Sequence, residues 1–67
     1  MFPNLDAEQA RKKMTNGAVA NILGISTGAY ERRKKNGRFL ADECQKLCVV
    51  FGCEFRYLFA TDGGRNA

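Results

Sequence analysis

Histidine and tryptophan are both absent from this chain of 67 residues, and proline occurs once, at position 3. The absence of histidine removes the side chain that serves most often as a general base and as a metal ligand. The sequence also has no Ser-His or Cys-His pairing and no glycine-rich phosphate loop, and so small a domain has little room for a substrate pocket. We therefore predict that the protein is not an enzyme and that it holds no metal ion, cofactor or other small molecule.

Long apolar runs are missing as well. No stretch approaches the roughly 20 residues that are needed to span a bilayer. The start M-F-P-N-L-D has neither the basic residues nor the apolar segment of a secretory signal. These absences predict a cytoplasmic protein with no membrane partner.

The chain has three cysteines, Cys44, Cys48 and Cys53, all in its last third. An odd number without a secretory signal argues against a disulfide framework. No Cys-x-x-Cys pair is present to hold zinc. We interpret the three residues as small buried hydrophobes, and the alternative is a reactive or dimer-bridging thiol.

The hydrophobic periodicity is helical, and no segment alternates with the period of a strand. This periodicity predicts that residues 1–62 form one compact all-α bundle of four to five helices. We expect residues 63–67 to form a mobile tail. The expected caps are Asn4, Thr15 and Ser26. The helices that we expect are Leu5–Met14, a second ending at Leu23, a third ending near Lys35, Leu40–Phe51, and a short apolar segment within Glu54–Phe59.

Positive charge is concentrated in one part of the chain. Between Arg11 and Arg38 there are eight Lys or Arg residues and one acid, whereas the net charge of the whole chain is +4. The remainder is therefore net negative. Folding does not require such segregation, but a surface that binds phosphate groups does.

The stretch Thr15–Gly37 reads T-N-G-A-V-A-N-I-L-G-I-S-T-G-A-Y-E-R-R-K-K-N-G. It contains a short apolar helix, a glycine corner, a serine cap and a second helix with four consecutive cations. A helix-turn-helix that docks on DNA has these parts in this order. A solvated surface is the usual interpretation of such a charge run, but this position favours DNA, with Lys35, Asn36 and Arg38 as phosphate contacts.

Two motifs carry a resemblance to a known family. The corner A-N-I-L-G-I-S is similar to A-x-x-L-G-[VI]-S, and L-C-V-V-F-G-C-x-F-x-Y-L-F is similar to L-A-x-x-F-G-V-x-x-x-Y-L-F. Over Asn4–Asp62 the chain resembles the Cro-like, phage-repressor (XRE-type) helix-turn-helix regulators. The resemblance implies a lambda-repressor-like DNA-binding domain of a bacterial or prophage transcriptional repressor. Such a domain inserts its third helix in the major groove, as a homodimer on a near-palindromic operator of double-stranded DNA.

The resemblance also implies roles for individual residues. The base-reading positions map to Thr27, Gly28, Glu31 and Arg32. Arginine can bind guanine O6 and N7, and glutamate can accept a hydrogen bond from cytosine N4. Asn16 stands where the family often has a phosphate-binding glutamine. The complete predicted set of phosphate contacts is Asn16, Ser26, Arg33, Lys35, Asn36 and Arg38.

Lys34 departs from the family pattern, which usually places an apolar residue four positions after Tyr30. Two interpretations are open. Either the lysine stem lies along the edge of the core with its charged head in water, or the third helix ends early. We favour the first.

The segment near the C-terminus is rich in large apolar side chains. We expect Leu58 and Phe55 to pack on the chain's own core. Because four such groups in five positions exceed what a small bundle usually buries, we also predict a dimer surface from Phe55, Tyr57 and Phe59. An alternative function is therefore a protein-interaction module on the same scaffold, such as an antitoxin or antirepressor.

Overall fold

A computed structural model describes residues 1–61 of the chain. Within these residues all regular structure is helical and no strand forms, which confirms the predicted all-α class. Asp62 and the predicted tail at residues 63–67 lie outside the described residues. The five helices are α1 (Pro3–Arg11), α2 (Asn16–Leu23), α3 (Thr27–Asn36), α4 (Ala41–Phe51) and α5 (Phe55–Leu58).

The predicted boundaries of α2 and α3 are confirmed by their caps. The Thr15 hydroxyl accepts a hydrogen bond from the Ala18 amide at 3.1 Å, and the Ser26 hydroxyl accepts one from the Ala29 amide at 3.1 Å. Each bond satisfies one of the amides that a helix start leaves without an internal partner. α2 ends at Leu23, and the next residue, Gly24, has a φ of +74°, in the left-handed region that glycine adopts without a Cβ penalty.

The predicted limits of α1 are wrong at both ends. The helix begins at Pro3, which is tolerated in a first turn, and the side chain of Asn4 does not cap it. Instead, the Asn4 amide donates to the carbonyl of Tyr57 at 2.8 Å and so ties α1 to α5. The helix stops at Arg11 because the backbone turns at Lys13, where φ is +55°. Met14 therefore lies in the connection to α2.

Each helix contributes one completely buried side chain to the core: Leu5, Val19, Tyr30, Leu47 and Leu58 have no exposed surface. Burying a large apolar side chain contributes about 1.5–3 kcal/mol. The core therefore lies at the meeting point of all five helices, and it holds α3 by a single residue, Tyr30.

Aromatic side chains close the side of the core between the N-terminus and α5. The ring of Phe59 lies 5.3 Å from that of Phe2 and 5.6 Å from that of Phe39, in edge-to-face arrangements. Phe39 belongs to this cluster, whereas the neighbouring Leu40, at the start of α4, is 57% exposed. Phe55 differs from the prediction, because it lies mostly outside the core.

None of the helices formed by residues 1–61 is long and apolar enough to cross a membrane.

Candidate nucleic-acid interface

The N-terminal ends of α2 and α3 lie side by side. Three residues, 24–26, connect the helices. A methyl group placed on Gly17, in the first turn of α2, would lie 3.4 Å from the hydroxyl of Thr27 and 3.8 Å from that of Thr15. A helix carries partial positive charge at its N-terminus. This part of the surface therefore carries the partial charge of two helix ends.

The four predicted base-reading residues, Thr27, Gly28, Glu31 and Arg32, are all exposed within the first six residues of α3. Their spacing places them on one face of the helix. The guanidinium group of Arg32 lies back over the first turn, since its Nη1 atom would be 4.0 Å from a methyl group on Gly28. The structure therefore brings these four predicted residues together on one exposed surface.

Asn16 and Glu31 join α2 to α3 across this surface. The Asn16 side-chain amide donates to Oε2 of Glu31 at 3.0 Å. A residue predicted to contact phosphate is thus bonded to a residue predicted to read a base. This pairing could not be predicted from local sequence patterns, because the two residues are fifteen positions apart.

The other predicted phosphate contacts mostly lie at the two ends of α3. Ser26 is exposed before the helix, and Lys35, Asn36 and Arg38 are exposed at and beyond its C-terminal end. The side chain of Asn36 accepts a hydrogen bond from the Arg38 amide at 3.0 Å and so shapes the turn that presents Arg38. Lys35 and Arg38 therefore lie exposed at and beyond the end of α3, after the predicted base-reading residues in the chain.

Arg33 has a different environment from the neighbouring cations. Its guanidinium group forms an ion pair with Glu43 of α4. Glu43 is 4% exposed, and its other carboxylate oxygen accepts a hydrogen bond from the Leu40 amide at 3.0 Å. A buried carboxylate requires a paired cation, so this bond anchors α3 to α4. The predicted phosphate contact of Arg33 stays a prediction.

Lys34 lies between the helices, and neither interpretation of its position is fully right. α3 continues to Asn36, so the early end is wrong. The lysine stem does follow the core edge, with Nζ 5.0 Å from the centre of the Tyr30 ring. However, the ammonium group is held by hydrogen bonds within the protein and its side chain is only 19% exposed. It donates to Asp6 at 2.9 Å, to Asn16 at 3.0 Å and to Gln9 at 3.4 Å.

Gln9 completes this polar cluster and was missed by the sequence analysis. Its Oε1 atom accepts a hydrogen bond of 2.8 Å from the Tyr30 hydroxyl, and its Nε2 atom donates to Asn16 at 2.9 Å. Burial raises the pKa of Tyr30, so this hydroxyl stays a donor at neutral pH. A signal was present in the sequence: Asp6 and Gln9 are one helical turn apart, and Lys34 stands at an expected apolar position.

An apolar surface formed by α4 and α5 carries the second set of predicted residues. Val49 is 82% exposed and Phe55 is 60% exposed. Helical spacing could have revealed Val49, which lies off the buried stripe of Leu47 and Phe51. A groove of about 780 Å³ beside them is lined by Phe39, Ala41, Cys44, Gln45, Cys48, Val49 and Phe55.

Of the predicted dimer residues, Phe55 is the most exposed. Tyr57 is 37% exposed, and its hydroxyl donates to Glu8 at 2.9 Å, which raises the pKa of Tyr57. Phe59 is partly buried in the aromatic cluster. Two free cysteines, Cys44 and Cys48, line the groove, and desolvation raises the pKa of both thiols. They are therefore protonated at neutral pH.

Residues 1–61 contain no group of three or more potential metal-binding side chains. Comparison with known protein families, with curated proteins and with solved structures finds no match to this chain. The resemblance to the Cro-like regulators therefore stays a prediction that rests on two short motifs.

Proposed function

We propose that this chain is a sequence-specific regulator of transcription that binds double-stranded DNA, with α2 and α3 acting as a helix-turn-helix. The observation that carries the proposal is the exposed face of α3, where the four candidate base readers lie between the two helix N-termini and the cations at Lys35 and Arg38. An α-helix with its side chains is about 10–12 Å wide, which matches the roughly 12 Å width of the major groove.

Direct base contacts come from three side chains in this proposal. Arg32 donates to O6 and N7 of a guanine, Glu31 accepts from a base amino group, and Thr27 forms a hydrogen bond at the start of α3. Gly28 has no side chain, so the backbone of the first turn can approach the bases closely. Together these residues read a short half-site.

Phosphate contacts supply affinity without sequence information. Lys35 and Arg38 bind the backbone beyond the reading helix, while Asn16, Ser26 and Asn36 donate hydrogen bonds near the helix ends. Each neutralised phosphate adds about 0.9 to the slope of log affinity against log salt concentration. The helix N-termini add their partial positive charge.

The proposed regulator binds as a homodimer through the apolar surface of α4 and α5. Phe55 and Val49 supply the exposed apolar area, and Tyr57 and Phe59 border it. A two-fold dimer places two copies of α3 about 34 Å apart and requires a near-palindromic operator. Occupation of that operator represses transcription by excluding polymerase.

The test is selection of bound sequences from a random duplex library at about 150 mM salt, an ionic strength that screens weak non-specific attraction. We expect a palindrome whose half-sites are about one helical turn apart. Weak binding without sequence enrichment, which disappears as salt rises, would contradict the proposal.

A second candidate function is supported by the exposure of Val49 and Phe55. On this proposal the chain is a protein-interaction module, in the manner of an antitoxin or antirepressor, and the apolar surface binds a different protein. The two functions predict different sensitive residues. Loss of Arg32 and Lys35 abolishes DNA regulation, whereas loss of Phe55 and Tyr57 abolishes the protein complex and leaves those cations dispensable.

A further inference from the structure

The ammonium group of Lys34 is the centre of a hydrogen-bond network that reaches from the core to the exposed face of α3. All three of its protons have an oxygen partner, on Asp6, Gln9 and Asn16. Its side chain is 19% exposed. Lys34 therefore differs from the exposed Lys35 beside it. The ammonium group of Lys34 is bonded within the network and does not project toward a ligand.

The network has a fixed direction. Nε2 of Gln9 donates to the carbonyl oxygen of Met14 at 3.1 Å and to Oδ1 of Asn16 at 2.9 Å. Lys34 donates to the same Oδ1 atom at 3.0 Å. A carbonyl oxygen can only accept and an ammonium group can only donate. The Met14 carbonyl therefore requires the Nε2 atom of Gln9 beside it, and the Lys34 ammonium group requires the Oε1 atom. The Gln9 amide can take only this one orientation.

The orientation of the Asn16 amide follows from this direction. Two donors face its Oδ1 atom, and a rotated amide would turn its own donor group toward them. The Nδ2 group consequently points to α3, where it donates to Oε2 of Glu31 at 3.0 Å. The carboxylate of Glu31 is exposed, and this hydrogen bond ties its Oε2 atom to Asn16, whose own orientation is set by Gln9 of α1 and Lys34.

A carboxylate on this surface can form a favourable contact with one kind of base. It accepts hydrogen bonds and repels phosphate, so it requires a base that presents a donor in the major groove. Cytosine presents its N4 amino group, whereas guanine presents acceptors. Thymine presents an acceptor and a methyl group, and adenine places the N7 acceptor next to its N6 donor. Cytosine is the base that fits.

We propose that Lys34 is a positioning residue for base selection: acting through Asn16, it aims Glu31 so that the protein selects cytosine at one position of each half-site. The inference rests on the proposed DNA-binding function. Lys34 itself touches no base, and its contribution is to hold the acceptor in place before DNA arrives, which reduces the ordering cost of binding.

The experiment measures the affinity of the whole chain for four duplexes that differ in one base pair of the selected operator. The position is the one at which Glu31→Ala loses its preference. We expect the wild-type protein to prefer cytosine there by about 5- to 150-fold. Lys34→Met, which keeps the length of the stem, lowers this preference several-fold. The matched control Lys35→Met weakens all four duplexes equally and keeps the preference.

A double-mutant cycle separates a positioning role from a general structural one. In the Glu31→Ala background, Lys34→Met changes no base preference at this position if it acts through Glu31. Circular dichroism checks that the variants are folded. Should Lys34→Met fail to fold, Asn16→Ala breaks the same link nearer the surface and gives the same loss of preference.

Two results would overturn the inference. The first is wild-type cytosine preference in both folded variants, Lys34→Met and Asn16→Ala. The second is an equal loss of preference at every position of the operator. Failure of the wild-type protein to bind any duplex selectively is a different outcome, because it overturns the proposed function itself.

Discussion

The two exposed surfaces of this small bundle are organised in opposite ways. On the α2–α3 surface, polar side chains are held by hydrogen bonds before any partner binds, as the bond between Asn16 and Glu31 shows. On the α4–α5 surface, Val49 and Phe55 are exposed and apolar. The first surface is suited to select a partner by geometry. The second surface stabilises a complex with any partner that buries its apolar area.

The difference has consequences for binding. Directed hydrogen bonds discriminate between partners, because a wrong partner leaves polar groups without bonds. Apolar contact is not directional and is roughly proportional to the area buried. Specificity is therefore expected from α3, and oligomerisation or adhesion from α4 and α5.

The largest expected effect comes from removing the exposed cations. The triple variant with Arg32, Lys35 and Arg38 changed to Ala should lose roughly 100-fold or more of its DNA affinity, and its salt slope should fall by about 0.9 for each lost phosphate contact. Titration of the selected operator at several salt concentrations measures both quantities. Unchanged DNA affinity would contradict the DNA-binding proposal and favour a function of the apolar surface of α4 and α5.

A second prediction sharpens the contrast between neighbouring cations. Arg33→Ala should lower the free energy of unfolding by roughly 2–4 kcal/mol, because it leaves the carboxylate of Glu43 buried without its partner. Urea denaturation followed by circular dichroism gives this value. Lys35→Ala is the matched control, with an expected change within about 0.5 kcal/mol. Equal effects of the two changes would show that the Arg33–Glu43 pair adds nothing.

The third prediction concerns the apolar surface. Replacement of Val49 and Phe55 by Ser should weaken dimerisation with little loss of monomer stability, because both side chains are exposed. Sedimentation equilibrium measures the dimer, and duplexes with one or two half-sites report whether dimerisation aids DNA binding. Leu40→Ser is a control, since it also removes an exposed apolar side chain but lies outside the groove lining. A monomeric wild-type protein would contradict this prediction.

The smallest expected effect is at Gly28. A methyl group there meets nothing closer than Arg32, at 4.0 Å, so Gly28→Ala should stabilise the helix by at most about 1 kcal/mol. If α3 approaches the bases as closely as we propose, the same methyl group weakens operator binding. The unfolding temperature of this variant should therefore rise while its affinity for the operator falls. An increase in both the unfolding temperature and the operator affinity would place the first turn of α3 away from the DNA.

Much of the fold was predictable because its signals are local. The hydroxyl caps at Thr15 and Ser26 and the left-handed glycine at Gly24 depend on neighbours within a few residues. α1 was predicted less well, because Asn4 has two possible partners. A local cap competes there with the carbonyl of Tyr57, which lies 53 positions away, and the distant partner prevails.

The helical class, the segregation of positive charge and the order of elements from Thr15 to Gly37 can be predicted from the amino-acid sequence, since periodicity, composition and capping act over one or two helical turns. Which of the consecutive cations are exposed depends on how the helices pack. Arg33 and Lys34 contact other helices, whereas Lys35 remains on the surface. The physical reason is that a side chain's partner depends on which helix packs against it, and that packing is set by the shared core.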